Sequence, residues 1–435
     1  MDTTEIGRLL DSLAEIASDG PTPSVAPAER MRRAVDGLAC APAERSACIA
    51  AIVDRLAEQG IAVDAVAGAT TSSILLASMI SARLGRPLVY LRPRPKGHGK
   101  HRQMEGTLAP GMRTLLVVDV IADVEALELL VEVIAQHGGQ VTACVCLFAA
   151  DAEATARALG ERSIRLISMT QTESSSADPR QAGDASHSVR EQPERFVRPA
   201  DENRLGAELS ERLNRNRRRV AECLLDVKAV SINLDQPFRY ASGLLSPIYT
   251  DCRLLISYPE QWDSVIDAFV DVLRYGLVNE RVDVLGGTAT SGLPHASLIA
   301  DRLGLPMVYA SFEGADAEIR GHFAPNARAV MVEDHVTTGK SVLEAARVLR
   351  DGGARVDHCI NIFTYQQPKS EPDSQVPQLV IGELRFYPLS DVFTLLDVAV
   401  DRGDIGESEQ RAVLEWLADP KGWSARHEPN GAATG

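Results

Sequence analysis

The sequence predicts an α/β protein made of two domains of one kind, each a parallel sheet flanked by helices. Three observations carry that expectation. Short apolar strands alternate with amphipathic helices on both sides of a central break, the pattern of parallel strands joined by covering helices. The two sides also repeat each other. Val63–Tyr90, VDAVAGATTSSILLASMISARLGRPLVY, aligns without a gap to Val282–Tyr309, VDVLGGTATSGLPHASLIADRLGLPMVY, with about half the positions identical. From Arg113 and from Arg328 the match resumes, through GGQV and GARV. Shared residues such as Arg-Leu-Gly-x-Pro-x-Val-Tyr exceed what β–α–β periodicity demands, so the match reads as a duplication. Third, Thr170–Asn203 has no hydrophobic period and is rich in Ser, Pro, Gln and charge, the composition of a disordered linker. A flexible chain of that length spans roughly 30 Å, enough for its flanks to pack side by side.

Composition narrows the function. The 435 residues allow two or three domains with their own cores. The opening MDTTEIGRLLDSLAEI reads as an amphipathic acidic helix, and Met1 to about Ala41 as a packing element. No apolar run has membrane-spanning length, and the seven cysteines lack paired spacing. Cys144 and Cys146 alternate on a strand as buried thiols, and a reducing, cytoplasmic home is expected. A net charge of −15 argues against nucleic-acid or anionic-membrane partners, so any anion site must be a local basic feature. Arg215–Arg219, RNRRR, reads as a solvated helix face.

The second repeat holds VMVEDHVTTGKSVLEAARVL, Val330–Leu349. TGKS suggests a triphosphate loop, but such a loop needs Gly five positions before its Gly-Lys. Asp334 stands there, after Glu333. The segment instead reads as an apolar strand with an acidic pair at its carboxyl end, followed by Thr337, Thr338, Gly339, Lys340 and Ser341 opening a helix. Hydroxyls and free N–H groups at a helix N-terminus suit one phosphate monoester. The acidic pair is then placed for vicinal ribose hydroxyls, directly or through a metal. Together they suit a sugar phosphate with a free diol. His335 reads as a helix-entry residue.

Glu-Asp-x-x-Thr-Thr-Gly-x-Ser resembles the signature of type I phosphoribosyltransferases, and residues 204–423 resemble orotate phosphoribosyltransferase. FRYASGLLSPIYTDCR (Phe238–Arg253) is similar to that family's hood, GGTATSGLP (Gly286–Pro294) to its pyrophosphate loop, and INIFTYQQP and LEWLADPKGW to one bacterial branch. The resemblance implies two type I phosphoribosyltransferase-like domains, the second with a hood subdomain. It also implies transfer of phosphoribosyl from 5-phosphoribosyl 1-diphosphate to orotate with Mg²⁺, in pyrimidine biosynthesis. Glu333 and Asp334 would hold the ribose, Thr337, Thr338, Gly339, Lys340 and Ser341 the 5-phosphate, and Tyr249, Thr250 and Thr337 orotate. Many family members have Lys where Ala241 stands and Arg where Tyr365 stands. The IFTY branch resembles this chain at both.

In that family a basic loop follows the strand ending Val-Tyr. After Tyr309 the chain has ASFEGADAEIRGHFAPNAR, where Glu313, Asp316 and Glu318 would repel a pyrophosphate and only Arg320 would attract it. After Tyr90 it has LRPRPKGHGKHRQMEG, and the family's Arg-x-x-x-Lys-x-His falls on Arg92, Lys96 and His98. The first repeat has lost the remainder. Val118 precedes Asp119, and Ala122-Asp123-Val124-Glu125 replaces Thr337 to Lys340, with carboxylates that exclude phosphate. These losses are complementary. Residues 1–169 are therefore expected to be a degenerate domain supplying the lid, 170–203 a linker, 204–423 the transferase domain and 424–435 a loose tail. The chain would be an intramolecular pseudo-dimer with one live composite site, able to pair further as a homodimer of chains. Lys96, His98 and Asp334 would be its catalytic residues, with Arg92 anchoring the diphosphate. Another heterocyclic acceptor, or a non-catalytic sensor of phosphoribosyl diphosphate, remain alternatives.

Overall fold

The computed structural model describes residues 3–16, 27–92, 103–170, 202–240, 242–277, 281–312, 317–369 and 376–428. In the first half, α1 (Thr3–Ile16), α2 (Pro27–Cys40) and α3 (Pro42–Glu58) precede a sheet of β1 (Ala65–Gly68), β2 (Leu88–Leu91), β3 (Met104–Glu105), β4 (Arg113–Ile121), β5 (Gln140–Ala149) and β6 (Arg165–Ser168). The helices between its strands are α4 (Thr71–Leu84), α5 (Val124–Gln136) and α6 (Ala152–Glu161). The second half opens with α7 (Glu202–Asp226), then β7 (Val230–Ile232), β8 (Phe238–Arg239), β9 (Leu245–Ser246), β10 (Ile248–Thr250) and α8 (Pro259–Asp271). Its sheet region holds β11 (Val284–Thr288), α9 (Leu293–Leu303), β12 (Met307–Ser311), β13 (Glu318–Arg320), β14 (Arg328–Val336), α10 (Lys340–Asp351), β15 (Arg355–Thr364), β16 (Leu379–Ile381) and β17 (Leu384–Asp391). It closes with α11 (Val392–Arg402), α12 (Glu407–Ala418) and α13 (Pro420–His427).

The two sheets share one plan. Strand order is β3-β2-β1-β4-β5-β6 in the first and β13-β12-β11-β14-β15-β17-β16 in the second. In both, an antiparallel edge hairpin adjoins parallel strands. Register repeats residue for residue: Val66 faces Leu88 as Leu285 faces Met307, and Tyr90 faces Glu105 as Tyr309 faces Arg320. Even an irregularity recurs, between Thr114 and Leu115 and between Ala329 and Val330. Periodicity does not require a shared bulge, so the structure supports duplication more strongly than the sequence pattern alone. The extra antiparallel pairs β7–β10 and β8–β9 belong to the second half.

The halves pack through one continuous apolar core that includes Ile49, Ile74 and Ile80 from the first and Ile266, Leu298 and Ile299 from the second. α4 lies against α9. At the edges of this contact one interaction occurs twice. Ser257 Oγ donates to Leu88 O at 2.9 Å and accepts from Thr107 N at 2.8 Å. Cys40 Sγ donates to Met307 O at 3.4 Å and accepts from His322 N at 2.9 Å. Beside each of these contacts stands a glycine at positive φ, Gly106 at 88° and Gly321 at 91°. A Cβ on Gly106 would come within 2.6 Å of Ser257 Oγ, and one on Gly321 within 2.8 Å of Cys40 Sγ. Glycine is therefore required at both places for backbone shape and for close approach. The two contacts are related as in a two-fold dimer, where residue i meets j and j meets i.

That relation extends the repeat upstream. α2 sits where the turn Cys252–Ser257 sits, and α3 and α8 each begin at proline, Pro42 and Pro259. The N-terminal region packs, as the sequence suggested: α1 lies on α2, and α2 lies on β4, β5 and α4 of its own half and on β12 of the second. Two expectations are corrected. Arg217 is not on a solvated face: it pairs with Asp391 in a nearly closed setting, because α7 lies against β17. The tail also starts later than residue 424. Asp419 caps α13, Ser424 Oγ accepts from Leu245 N at 2.9 Å, and His427 stacks on Trp423 at 3.7 Å. The linker interior, residues 171–201, lies outside the described residues. No described helix is long and apolar enough to cross a membrane.

Arg45 tests the packing of the halves. It is fully buried, donates to Ala39 O at 2.5 Å and across the interface to Leu305 O at 3.0 Å, and burial pushes its pKa down to about 10. Arg45→Met removes a buried charge but strands two carbonyls. Urea unfolding of the full chain should show a loss of about 2 kcal/mol. An unchanged midpoint would mean that the cross-interface bond contributes nothing.

Candidate functional site

The acidic pair lies inside the end of β14, one strand turn earlier than a loop would place it. Glu333 and Asp334 are buried, 4% and 8% exposed. Ser291 Oγ donates to Glu333 Oε1 at 2.9 Å, and Asp334 N donates to the same oxygen at 2.9 Å. Burial, and then the charge of Asp334, pushes the Glu333 carboxyl well above the usual range. Burial acts on Asp334 too, but a hydrogen bond from Glu333, the neighbouring His335 and His295 rings and the charge of Arg253 outweigh it and bring its pKa below normal. The pair therefore carries one shared proton, with the negative charge on Asp334.

Beyond β14 the chain turns into α10 through Gly339, at φ 72°. A Cβ there would press on Ile381 and Phe386 at 3.3 Å. Thr337, Thr338, Lys340 and Ser341 line the turn and the first residues of the helix; the N-cap Gly339 has no side chain to offer, and Thr338 Oγ1 accepts from Lys340 N only at a long 3.5 Å. The start of α10 thus carries the positive end of the helix dipole with a neutral, weakly held hydroxyl over it. Lys340 is 80% exposed and lies 3.9 Å from Glu344, so it points along its own helix to solvent. In the first half the corresponding helix is closed. Asp123 caps α5 by accepting from Glu125 N at 3.0 Å. Asp119 is likewise occupied, taking Thr70 Oγ1 at 2.9 Å and Ser72 Oγ at 2.6 Å.

The loop before α9 closes the site from the next strand. Thr288 Oγ1 donates to Val332 O at 3.2 Å, and a Cβ on Gly292 would lie 2.2 Å from that same oxygen. On the other side stands an aromatic and hydroxyl wall. Tyr365 OH donates to Thr250 Oγ1 at 3.0 Å, Tyr240 OH donates to Ile248 O at 3.0 Å, and Tyr249 packs on Phe238 with ring centroids 5.6 Å apart. His335 belongs to this wall, 5.0 Å from the Tyr365 ring and 5.7 Å from Phe363. It is a strand residue and not a helix-entry residue, because β14 continues to Val336. Burial lowers its pKa, which keeps the ring neutral. Gln366 Nε2 donates to Thr337 O at 2.9 Å and ties the wall to the phosphate loop.

The basic stretch after Tyr90 reaches this neighbourhood through its two ends. Lys96 and His98 lie outside the described residues, as does Ala241. Arg92 and Gln103 flank the stretch, joined by Arg92 N to Gln103 O at 2.8 Å. Arg92 Nε donates to Glu105 Oε1 at 2.7 Å, and Arg253 of the second half donates to the same oxygen at 2.5 Å. Arg253 also donates to Asp251 at 2.6 Å. Arg92, expected to meet a diphosphate, is thus held by Glu105. Arg253 follows Tyr249–Asp251 closely, and its charge acts on Asp334. The feet of the basic stretch are therefore fastened beside the acidic pair of the other half.

The structure places Glu333, Asp334, Thr337, Thr338, Gly339 and Ser341 along one strand end and the helix start that follows it, and Tyr249 and Thr250 on the aromatic and hydroxyl wall. Sequence reasoning missed Ser291, Arg253 and Glu105. Ser72 and Ser291 are identical in the repeat and each bonds the acid across from it, which is a signal the alignment contained. Glu105 and Arg253 could not be paired without the fold.

A helix N-terminus free of carboxylates beside a strand-end acidic pair, on a parallel sheet, is an arrangement suited to a sugar phosphate, as in the phosphoribosyltransferase class. No family model matches the chain. It is 43% identical to the orotate phosphoribosyltransferase of Coxiella burnetii over 208 residues, 47% of this chain and 96% of that protein. The orotate phosphoribosyltransferase of Halalkalibacterium halodurans is 39% identical over 213 residues, 48% of this chain and 98% of its own length. The chain belongs to the orotate phosphoribosyltransferase family. A crystal structure of the enzyme from Aeropyrum pernix is also similar, with 25% identity, 43% of this chain and 99% of that chain covered, and a TM-score of 0.35; the assignment rests on the sequence relatives.

The shared proton predicts a pH effect. A carboxyl whose pKa rises on folding favours the folded state only while protonated, so that stability is lost as pH rises from the unfolded value, near 4.3, through the folded one. Glu333→Gln should leave ligand-free stability nearly unchanged near pH 4 and raise it by about 1 kcal/mol or more at pH 8. Thermal melts at the two pH values check this. Equal effects at both would mean that Glu333 is ionised in the folded protein.

Proposed function

We propose that the chain transfers phosphoribosyl from 5-phosphoribosyl 1-diphosphate to orotate, giving orotidine 5′-monophosphate and diphosphate, at one composite site drawn from both halves. The observation that carries this reading is the contrast between the two helix N-termini: beside Glu333 and Asp334, α10 is met only by the neutral Thr338 hydroxyl at 3.5 Å, while α5 is capped by the Asp123 carboxylate at 3.0 Å. Only the second half can accept the 5-phosphate.

Displacement at the anomeric carbon builds positive charge on the ribose and negative charge on the departing diphosphate. The N–H groups at the start of α10, with the hydroxyls of Thr337, Thr338 and Ser341, take the 5-phosphate. Asp334 and Glu333 accept from the ribose hydroxyls, and the charge on Asp334 favours the cationic ribose. Tyr249, Thr250 and the backbone of Thr337 orient orotate on the wall. Lys96 and His98, between the anchored ends Arg92 and Gln103, supply donors to the leaving group. Arg92 exchanges Glu105 for diphosphate oxygen.

Among the described residues no group of three or more His, Cys, Asp and Glu side chains could hold a metal. Two hard carboxylates fit a magnesium that arrives on the diphosphate and takes most of its ligands from substrate and water. Glu333 and Asp334 would steady it. Bound there, it would neutralise diphosphate charge.

Orotate absorbance should fall on mixing with phosphoribosyl diphosphate and Mg²⁺, with one diphosphate released per orotate consumed, and a chelator should stop it. Uracil and purines should not react. Asp334→Asn should lower kcat by about 100-fold. Faster turnover of another base would move the acceptor. Tight ligand binding without diphosphate release would make the protein a sensor.

A further inference from the structure

Each half contributes a hairpin and a seat to the contact between them. In the first half the hairpin carries Glu105 and the seat Asp36; in the second the hairpin carries Arg320 and the seat Arg253. Glu105 and Arg320 occupy equivalent register positions, opposite Tyr90 and Tyr309. The equivalence of the seats follows from Cys40 and Ser257, which stand four residues after Asp36 and Arg253 and make the same contacts. Hairpin meets seat only across the halves. Glu105 Oε1 takes Arg253 at 2.5 Å, and Arg320 pairs with Asp36 Oδ2 at 3.5 Å. The two contacts are equivalent in position and opposite in polarity.

A dimer of identical subunits needs the hairpin and the seat of one sequence to match. Here neither half matches itself. First half on first half would set Glu105 against Asp36 twice; second on second would set Arg320 against Arg253 twice. Side-chain exposure is 3% for Glu105, 14% for Asp36, 16% for Arg253 and 31% for Arg320, so solvent would screen such like-charge pairs poorly. Burial already pushes the Asp36 carboxyl up to about 6, with Arg320 opposing. Neighbouring groups make the exclusion unequal. Asp251 on Arg253 and Glu318 on Arg320 partly offset the positive pair. On the negative side Arg92 offsets Glu105, while Asp36 gains a further repulsion from Glu29.

We propose that this polarity reversal is a specificity device: it makes the two halves each other's partners and excludes pairing of a half with its own kind on a second chain, most strongly for the first half. Opposite charges join the intended pair and like charges penalise the alternatives. The device is independent of which base the enzyme uses, and its readout is molecular mass.

The test uses the full chain. Asp36→Arg sets a new guanidinium against Arg320 within the chain, but against Glu105 when two first halves meet. Light scattering over a dilution series should show the mass of this variant rising with concentration towards two chains for each wild-type particle. Adding Arg320→Glu restores an opposite-charge pair within the chain but leaves self-pairing matched as well, so its mass should fall below that of Asp36→Arg while its melting temperature returns towards wild type. Should Asp36→Arg fail to fold, Arg320→Glu alone makes the test from the more exposed side. The carboxylate it introduces faces Asp36 within the chain and Arg253 between chains, so mass should again rise. Variants that only melt earlier, with mass independent of concentration, would overturn the proposal. So would a double variant that self-associates as strongly as Asp36→Arg alone.

Discussion

The structure depends on one close contact made twice. A glycine at positive φ, Gly106 or Gly321, lets a hairpin of one half press against a small polar side chain of the other, Ser257 or Cys40. Neither approach tolerates a Cβ. Because Gly106 directly follows Glu105, the same contact fixes both ends of the basic stretch that begins after Arg92. The halves are thus fastened on either side of that stretch. In the proposed composite site, this geometry would let the first half hold its hairpin against the second.

Within the site, electrostatics and helix geometry do separate jobs. The N-terminus of α10 carries no carboxylate, because Gly339 and two threonines stand where the first half has Asp123, and its one side-chain contact is the long bond from Lys340 N to Thr338 Oγ1. The acidic pair is costly in the empty protein, since two adjacent carboxyls cannot both ionise in a buried strand end. One retained proton relieves that cost.

Much of this was legible in the sequence. Alternation of strands and helices, the gapless repeat and the acidic pair before Thr-Thr-Gly located both sheets and the strand-end and helix-start residues of the candidate site, because these depend on local order along one segment. What escaped depended on tertiary pairing. Glu105 and Arg253 are far apart in sequence and meet only when the halves dock. The upstream part of the repeat was hidden because α2 and the turn Cys252–Ser257 share positions and contacts but little sequence. His335 and Arg217 were misplaced for a related reason: strand length and helix docking, not composition, decided their burial.

The account's central claim is that residues of the first half act in the site of the second. Single-turnover conversion of orotate, compared between the wild-type chain and Lys96→Ala, tests it most directly. The account predicts a fall in rate of at least about tenfold with phosphoribosyl diphosphate still bound, because the phosphate and ribose contacts belong to the other half. A Lys96→Ala protein that turns over at the wild-type rate would contradict it, and would leave the second half working alone.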